Sequence, residues 1–355
     1  MKTIGMALAA LGLLAGPVLA DKKLDEALSK AESQLEKGRA DEALKGLQKA
    51  VSQAALSEGY VILSRFQARL GSAEHLEAAA AAAVKAVELA TAPDAKVDAL
   101  ANQVSFDLTR GSSREALTHA EAAAKVQETP ASLAALARAQ TRIGNPVAAL
   151  SAAQRAVQAG ADSAAAHNAL GEALLASGKR DEAAAAFRKA AELDPKFTAA
   201  QVGLAQTLLD QNKPAEAVAV ARKASETDKG SAEAFAVLST ALFAENKGKW
   251  AEAIEQAQQG AFVNPRSTAI QIAVGRLFEA NGNLEQATVA YRRALEVDLA
   301  YVPARVALVR AQIQRGETDA ALVEVRKLVA DAPQSADAHL QLGKLLVRKK
   351  DYANA

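Results

Sequence analysis

The sequence predicts an all-α chain, a solenoid of antiparallel helix pairs, and three observations carry that prediction. Nine alanines, Ala43, Ala116, Ala149, Ala183, Ala217, Ala253, Ala287, Ala321 and Ala355, fall on a lattice whose later steps are 33, 34, 34, 36, 34, 34 and 34 residues. A period of this length marks a repeat architecture, in which each unit buries its apolar face only against its neighbours. Within each period the apolar residues recur at i, i+3 and i+4 in two successive runs, so each unit is a pair of amphipathic helices. Half of the residues are hydrophobic but only 4% are aromatic. That composition suits a thin layer of small and aliphatic side chains between closely approaching helices, not a deep globular core.

In chain order, residues 1–20 come first and read as a signal for export. Lys2 supplies a basic start, Ile4 to Leu14 an apolar stretch, and Val18-Leu19-Ala20 a small-residue end before Asp21-Lys22-Lys23. The apolar stretch is shorter than the ~20 residues that spanning requires, so a membrane contact is expected only if this segment stays uncleaved. The expected location is therefore the bacterial periplasm. The absence of cysteine excludes disulfides, thiol chemistry and a lipid-bearing cysteine. Removing residues 1–20 leaves 41 basic side chains against 41 acidic ones, so net charge gives no reason to expect nucleic acid or an anionic membrane as partner.

Residues 21–96 are expected to form two degenerate repeats that cap the array. Leu24 onward keeps Gly38, Ala43, Leu47 and Ala50 behind a polar first helix. Ser57 onward keeps Tyr60, Leu63, Ser64 and Gly71 and needs about six extra residues, placed near the run Ala78 to Ala83. Terminal repeats of an array are commonly atypical in this way.

Residues 97–335 form the core of about seven repeats, and Ala164 to Phe197 is the clearest. Numbered from one, it places His167 at position 4, Leu170 at 7, Gly171 at 8, Leu174 at 11, Gly178 at 15, Ala183 at 20, Phe187 at 24, Ala190 at 27 and Pro195 at 32. Positions 4, 7 and 11 make the inner stripe of a first helix, and 20, 24 and 27 that of a second. Small residues at 8 and 20 let the two helices touch, glycine at 15 ends the first helix, and proline at 32 stops the second. The register recurs with Val274, Gly275, Phe278, Gly282, Ala287, Tyr291 and Ala294, and again with Leu308, Gly316, Ala321, Leu328 and Pro333. Asn212 replaces the turn glycine in one unit and tolerates the same left-handed backbone. A two-residue insertion at Asn246 to Trp250 lengthens another turn before Ala253 and Pro265. Residues 336–355 hold an incomplete repeat with Leu342, Gly343, Leu346, Asp351, Tyr352 and Ala355 in register, so the sequence is expected to be part of a longer reading frame.

This pattern resembles the tetratricopeptide repeat, departing from it at His167, where that family prefers a large aromatic. The resemblance implies a right-handed superhelix whose first helices line a concave groove, with positions 2, 5, 6, 9, 12 and 13 facing a partner. Position 9 then reads Arg138, Glu172, Gln206, Thr240, Arg276, Arg310 and Lys344, and Arg348 stands at position 13. Arg276, Arg310, Lys344 and Arg348 form a candidate cradle for an acidic segment, set against the plainer reading of a solvated face. Ile272 and Val306 at position 5, with Val202, Gly203, Ala236, Val237, Ala273 and Ala307, would give a small or apolar floor. The carboxylate clamp of chaperone-binding members is not carried over, since Asn168 and Asn102 stand alone.

No catalytic motif, metal-ligand spacing or cofactor loop occurs. The four histidines are scattered, and His167 and His339 are expected to be packed. Asp41-Glu42, Asp181-Glu182 and Glu285 fall where second helices start and complement the helix dipole. Trp250 is expected in the seam between repeats. The function expected is a non-catalytic scaffold that binds a peptide or protein and helps assemble a cell-envelope complex. Two alternatives are the N-terminal repeat part of a larger polysaccharide-export or outer-membrane protein, and a regulatory segment of a glycosyltransferase.

Overall fold

The computed structural model describes residues 22–36, 39–70, 73–109, 112–264, 267–297, 302–331 and 336–349. The expected signal at 1–20, the prolines Pro265 and Pro333, and Asp351, Tyr352 and Ala355 lie outside them. Two compact units divide the chain, residues 1–234 and 235–355. The described regular structure is helical throughout, with no strand, and belongs to the solenoid class of stacked helix pairs.

In the first unit the pairs are α1 (Lys22–Glu36) with α2 (Ala40–Ala54), α3 (Ser57–Leu70) with α4 (Ala73–Leu89), and α5 (Pro93–Thr109) with α6 (Ser113–Val126). They continue as α7 (Pro130–Arg142) with α8 (Pro146–Ala159), α9 (Ala164–Ala176) with α10 (Arg180–Leu193), and α11 (Thr198–Asp210) with α12 (Pro214–Thr227). The second unit takes most of α13 (Ala232–Glu245), then α14 (Trp250–Val263), α15 (Thr268–Ala280), α16 (Leu284–Val297), α17 (Val302–Gln314), α18 (Thr318–Asp331) and α19 (Ala336–Arg348). In the first unit each helix from α1 to α11 packs on its successor and α3, α5, α7, α9 and α11 pack first helix on first helix; in the second unit α14 to α19 pack in succession, with α15 on α17 and α17 on α19.

The alanine lattice is the core of each pair. Its eight described members, from Ala43 to Ala321, are all 0% exposed. Aromatic residues wedge between pairs where glycines leave room. Phe187 on α10 is 1% exposed, and a Cβ built on Gly171 or on Gly203 would lie 2.7 or 2.6 Å from its ring. Gly171 and Gly203 sit on α9 and α11, so one ring is held by the first helices of two successive pairs. Leu174 on α9 is buried as well, 5% exposed. Tyr291 on α16 takes the equivalent seat against Gly275 and Ala287.

Local chemistry sets the helix ends. Pro130, Pro146 and Pro214 open α7, α8 and α12, where the missing N–H has no partner to lose. Ser163 and Asn145 accept the amides of Ala166 and Ala148 at 3.3 Å, each satisfying an orphan donor of a first turn. The turns within pairs need a left-handed residue, and Gly178 and Asn212 supply it with φ of 74° and 58°. Pro195 stands two residues beyond α10, and its carbonyl accepts from Gln201 Nε2 at 2.7 Å.

One expectation is refined, one is corrected and one holds. The extra residues expected near Ala78 to Ala83 are shared between two helices: α4, which contains that run, and α5 each reach 17 residues. An alanine-rich run continues a helix more readily than it loops out. The position-4 histidines are not packed in the core, although Leu133, Gln201 and Arg305 at the same position are buried. His167 Nε2 lies 3.0 Å from the Ala161 carbonyl, so His167, like Gln201, ties a first helix to the turn before it, and His339 is exposed. The insertion at Asn246 lengthens its turn as expected, as a single 3-10 turn at Lys247–Lys249.

Candidate functional site

The candidate site is the outward face of α15, α17 and α19 in the second unit. Helical spacing puts positions 5, 9, 12 and 13 near one another on each of these helices, and the structure gives those positions different roles.

Position 5 is not a floor open to a partner. Ile272 and Val306 are 6% and 8% exposed. Ile272 packs with Ala294 and Ala304, and Val306 with Leu328 and Ala338. Each is covered by its own second helix and by an alanine at the start of the next first helix. Ala236, Val237, Ala273 and Ala307 are buried too, while Val202 and Gly203 are half-buried. The sequence suggested a binding floor because the apolar stripe that joins neighbouring pairs carries the same residue types.

Position 9 holds the charge. Arg276 and Lys344 are exposed, and Arg310 between them is half-buried. Arg310 is already engaged: its Nε and Nη2 donate to the two carboxylate oxygens of Glu279 on α15, both at 2.7 Å. Tyr291 Oη donates to Glu279 at 2.7 Å and Gln314 Nε2 at 3.0 Å, so four hydrogen bonds converge on one carboxylate. Burial pushes the Glu279 carboxyl up, but the hydrogen bonds from Arg310 and Tyr291 outweigh it and hold the group below its usual range. The pairing with Glu279 pushes the Arg310 guanidinium further up against its burial, and burial together with Glu279 pushes the Tyr291 phenol up.

Position 13 is structural. Arg348 Nη1 donates to the Ile313 carbonyl at 2.9 Å, which puts a cation at the C-terminal end of the preceding first helix. Arg142 repeats this in the first unit, donating to the Leu108 carbonyl at 3.3 Å. The other two site candidates bond within their own helices: Thr240 Oγ1 donates to the Ala236 carbonyl at 2.9 Å, and Gln206 Nε2 to Asp210 at 3.4 Å.

The first unit carries its own polar ladder along its first helices. Arg65 Nε donates to Asn102 at 2.8 Å, Arg138 Nη1 to Ser105 at 3.2 Å, and Asn168 Nδ2 to Glu172 at 2.8 Å. Arg138 and Glu172 stand 3.5 Å apart. Arg305 is a residue that sequence reasoning missed. It occupies position 4 of its repeat, is 7% exposed, and pairs with Glu324 at 2.9 Å and Asp331 at 2.7 Å on α18. The missed signal was an acid at positions 23 and 30 of that repeat, each within reach of an arginine at position 4.

Two further features surround this face. Trp250 sits in the seam between repeats as expected, edge-on to Phe278 with ring centroids 6.1 Å apart. A pocket of about 490 Å³ lies between Ile313 and α19, lined by His339, Leu340, Gly343, Lys344, Val347 and Arg348. Among the described residues no group of three His, Asp or Glu side chains could hold a metal ion, and no helix is long and apolar enough to cross a membrane.

The family described as tetratricopeptide repeat matches residues 174–241 and 278–345, and again residues 238–300. Anaphase-promoting complex subunit 3 of Schizosaccharomyces pombe is 33% identical over 98 residues, which is 27% of this chain and 15% of that protein. This chain therefore matches only a small part of that relative's length. Two solved structures align over nearly all of this chain. The APC/C hetero-tetramer Cut9-Hcn1 covers 96% of it, with 68% of its own chain, at 13% identity and a TM-score of 0.63. The human IFIT1 dimer with m7Gppp-AAAA covers 99%, with 86% of its own chain, at 16% identity and a TM-score of 0.65. At such identities the likeness is one of fold, the stacked helix pairs.

Proposed function

Because this chain belongs to the tetratricopeptide-repeat family, we propose that it is a non-catalytic scaffold that holds an acidic segment of a protein partner on the first-helix face of its second unit. The carrying observation is the position-9 column, where Arg276 and Lys344 stand exposed on either side of Arg310. First helices packed about 8–10 Å apart put Arg276 and Lys344 about 16–20 Å from each other, the reach of five or six extended residues. Export through residues 1–20 would place this binding in the cell envelope, and assembly of an envelope complex is the role proposed for it.

The test is site-specific photocrosslinking in intact cells of a bacterium that exports the chain. A benzophenone side chain at Lys344 should give adducts with envelope proteins. The same group at Val323, which is 57% exposed on second helix α18, should not. Equal adducts from both positions, or none from Lys344, would refute the assignment of this face.

A further inference from the structure

The middle cation of the column is occupied before any partner arrives, and its occupant has the chemistry of the proposed ligand. We infer that Glu279 is a resident competitor for that ligand: its carboxylate fills the fork of Arg310 and keeps an acidic peptide from taking it. The inference rests on the reading of this face as an acidic-peptide site and adds how the site is held closed.

The geometry is that of a ligand carboxylate. Glu279 accepts both Arg310 bonds in the bidentate fork that recognises carboxylates. Tyr291, itself 0% exposed, and Gln314 hold it in place. The side chain of Glu279 is 10% exposed, against 38% for Arg310, so the carboxylate lies beneath the guanidinium, whose outer edge faces solvent. Arg276 and Lys344 have no hydrogen-bond or ion-pair partner among the described residues. An acidic peptide can therefore meet the two outer cations and the outer edge of Arg310 at once, but it takes the Nε–Nη2 fork only by displacing a group tethered to the same unit, at high effective concentration. The occupant this surface fits is an extended run of carboxylates, by charge complementarity with three cations one helix spacing apart.

The experiment uses the full chain and a fluorophore-labelled, end-blocked peptide of six glutamates, with binding read by anisotropy at low salt, where exposed charges are little screened. Glu279→Gln keeps the shape and removes the competing charge. It should bind the peptide about tenfold tighter than wild type, the gain of one charge-assisted pair. Adding Arg310→Gln should abolish that gain. Tyr291→Phe removes one of the four bonds on Glu279 and should tighten binding about twofold to threefold, which decides the matter if Glu279→Gln loses helical content. Suppose Glu279→Gln and Tyr291→Phe bind no more tightly than wild type, while Arg276→Gln and Lys344→Gln weaken wild-type binding. The competitor role is then overturned and the acidic-peptide reading stands. If neither the wild type nor any variant binds the peptide, both fall.

Discussion

Gly275→Ala tests the packing that sets the spacing of α15, α16 and α17. A Cβ at residue 275 would meet Tyr291 Cε1 at 2.3 Å, Cδ1 at 2.6 Å and Cζ at 2.9 Å, all well inside van der Waals contact. The Tyr291 ring has little freedom to retreat, because its hydroxyl is bound to Glu279 and its faces pack with Ala287, Ala307 and Ala311. Overpacking of this kind destabilises by about 1–3 kcal/mol. Replacing a mid-helix glycine by alanine returns about 0.5–1 kcal/mol of helix propensity, so the net loss spans about 0–2.5 kcal/mol and centres near 1 kcal/mol, because the 2.3 Å approach lies far inside contact. With a urea slope of ~1–3 kcal/mol per molar, the midpoint should fall by roughly 0.3–1 M.

The readout is the fluorescence of Trp250, the one tryptophan of the chain, which packs on Phe278 in the same layer and reports on the second unit. Gly46→Ala is the control. No atom lies within 4 Å of a Cβ there, so only the propensity term acts, and it acts on the first unit. Far-UV circular dichroism should show a small gain for Gly46→Ala while the Trp250 transition stays in place. A Gly275→Ala midpoint equal to or above that of wild type would refute the argument that steric contact, not glycine's flexibility, selects glycine at residue 275.

Two further outcomes follow from the same geometry. Asn212→Ala puts a β-carbon without a side-chain amide at φ of 58° and should lower the stability of the first unit by about 1 kcal/mol, seen as an earlier circular-dichroism transition in urea. Glu279, whose carboxyl is held below its ordinary value by Arg310 and Tyr291 despite burial, makes the second unit pH-dependent. A lowered folded-state pKa gives stability that is present above the unfolded value near pH 4 and is lost as pH falls through the lower folded value. The gap in Trp250 urea midpoint between wild type and Glu279→Gln should therefore be constant at neutral pH and close below about pH 4. A gap unchanged at pH 3 would mean that the carboxylate does not stabilise this layer.

The fold was legible because its determinants are local and repeated. Ala183, Gly178, Asn212 and Phe187 each do in three dimensions what their register implied, since a helix pair recruits the same contacts wherever it occurs. The repeat between Ser57 and Thr109 was less legible. Its extra residues have high helix propensity, so they lengthened α4 and α5 without leaving a sequence signal of their own. Arg305 escaped notice for a different reason. A pattern based on hydrophobicity ranks an arginine at an inner position as a departure, and only the acids at 324 and 331 turn it into a buried, paired side chain.

The candidate site was legible only as a column of charges. Register placed Arg276, Arg310 and Lys344 on one face, but it treated them alike because each was read within its own repeat. What distinguishes them comes from neighbours 31 to 35 residues away, such as Glu279 beneath Arg310 and the Ile313 carbonyl that holds Arg348. The same blindness turned Ile272 and Val306 into a supposed binding floor, because an apolar residue at position 5 looks identical whether it meets a partner or the next repeat. In an array the next repeat is always present at high effective concentration, so it takes first claim on any complementary surface. Among the described residues of the column, Arg276 and Lys344 are the cations that no neighbouring helix satisfies, and it is this remainder, not the periodic pattern, that the proposed acidic partner would meet.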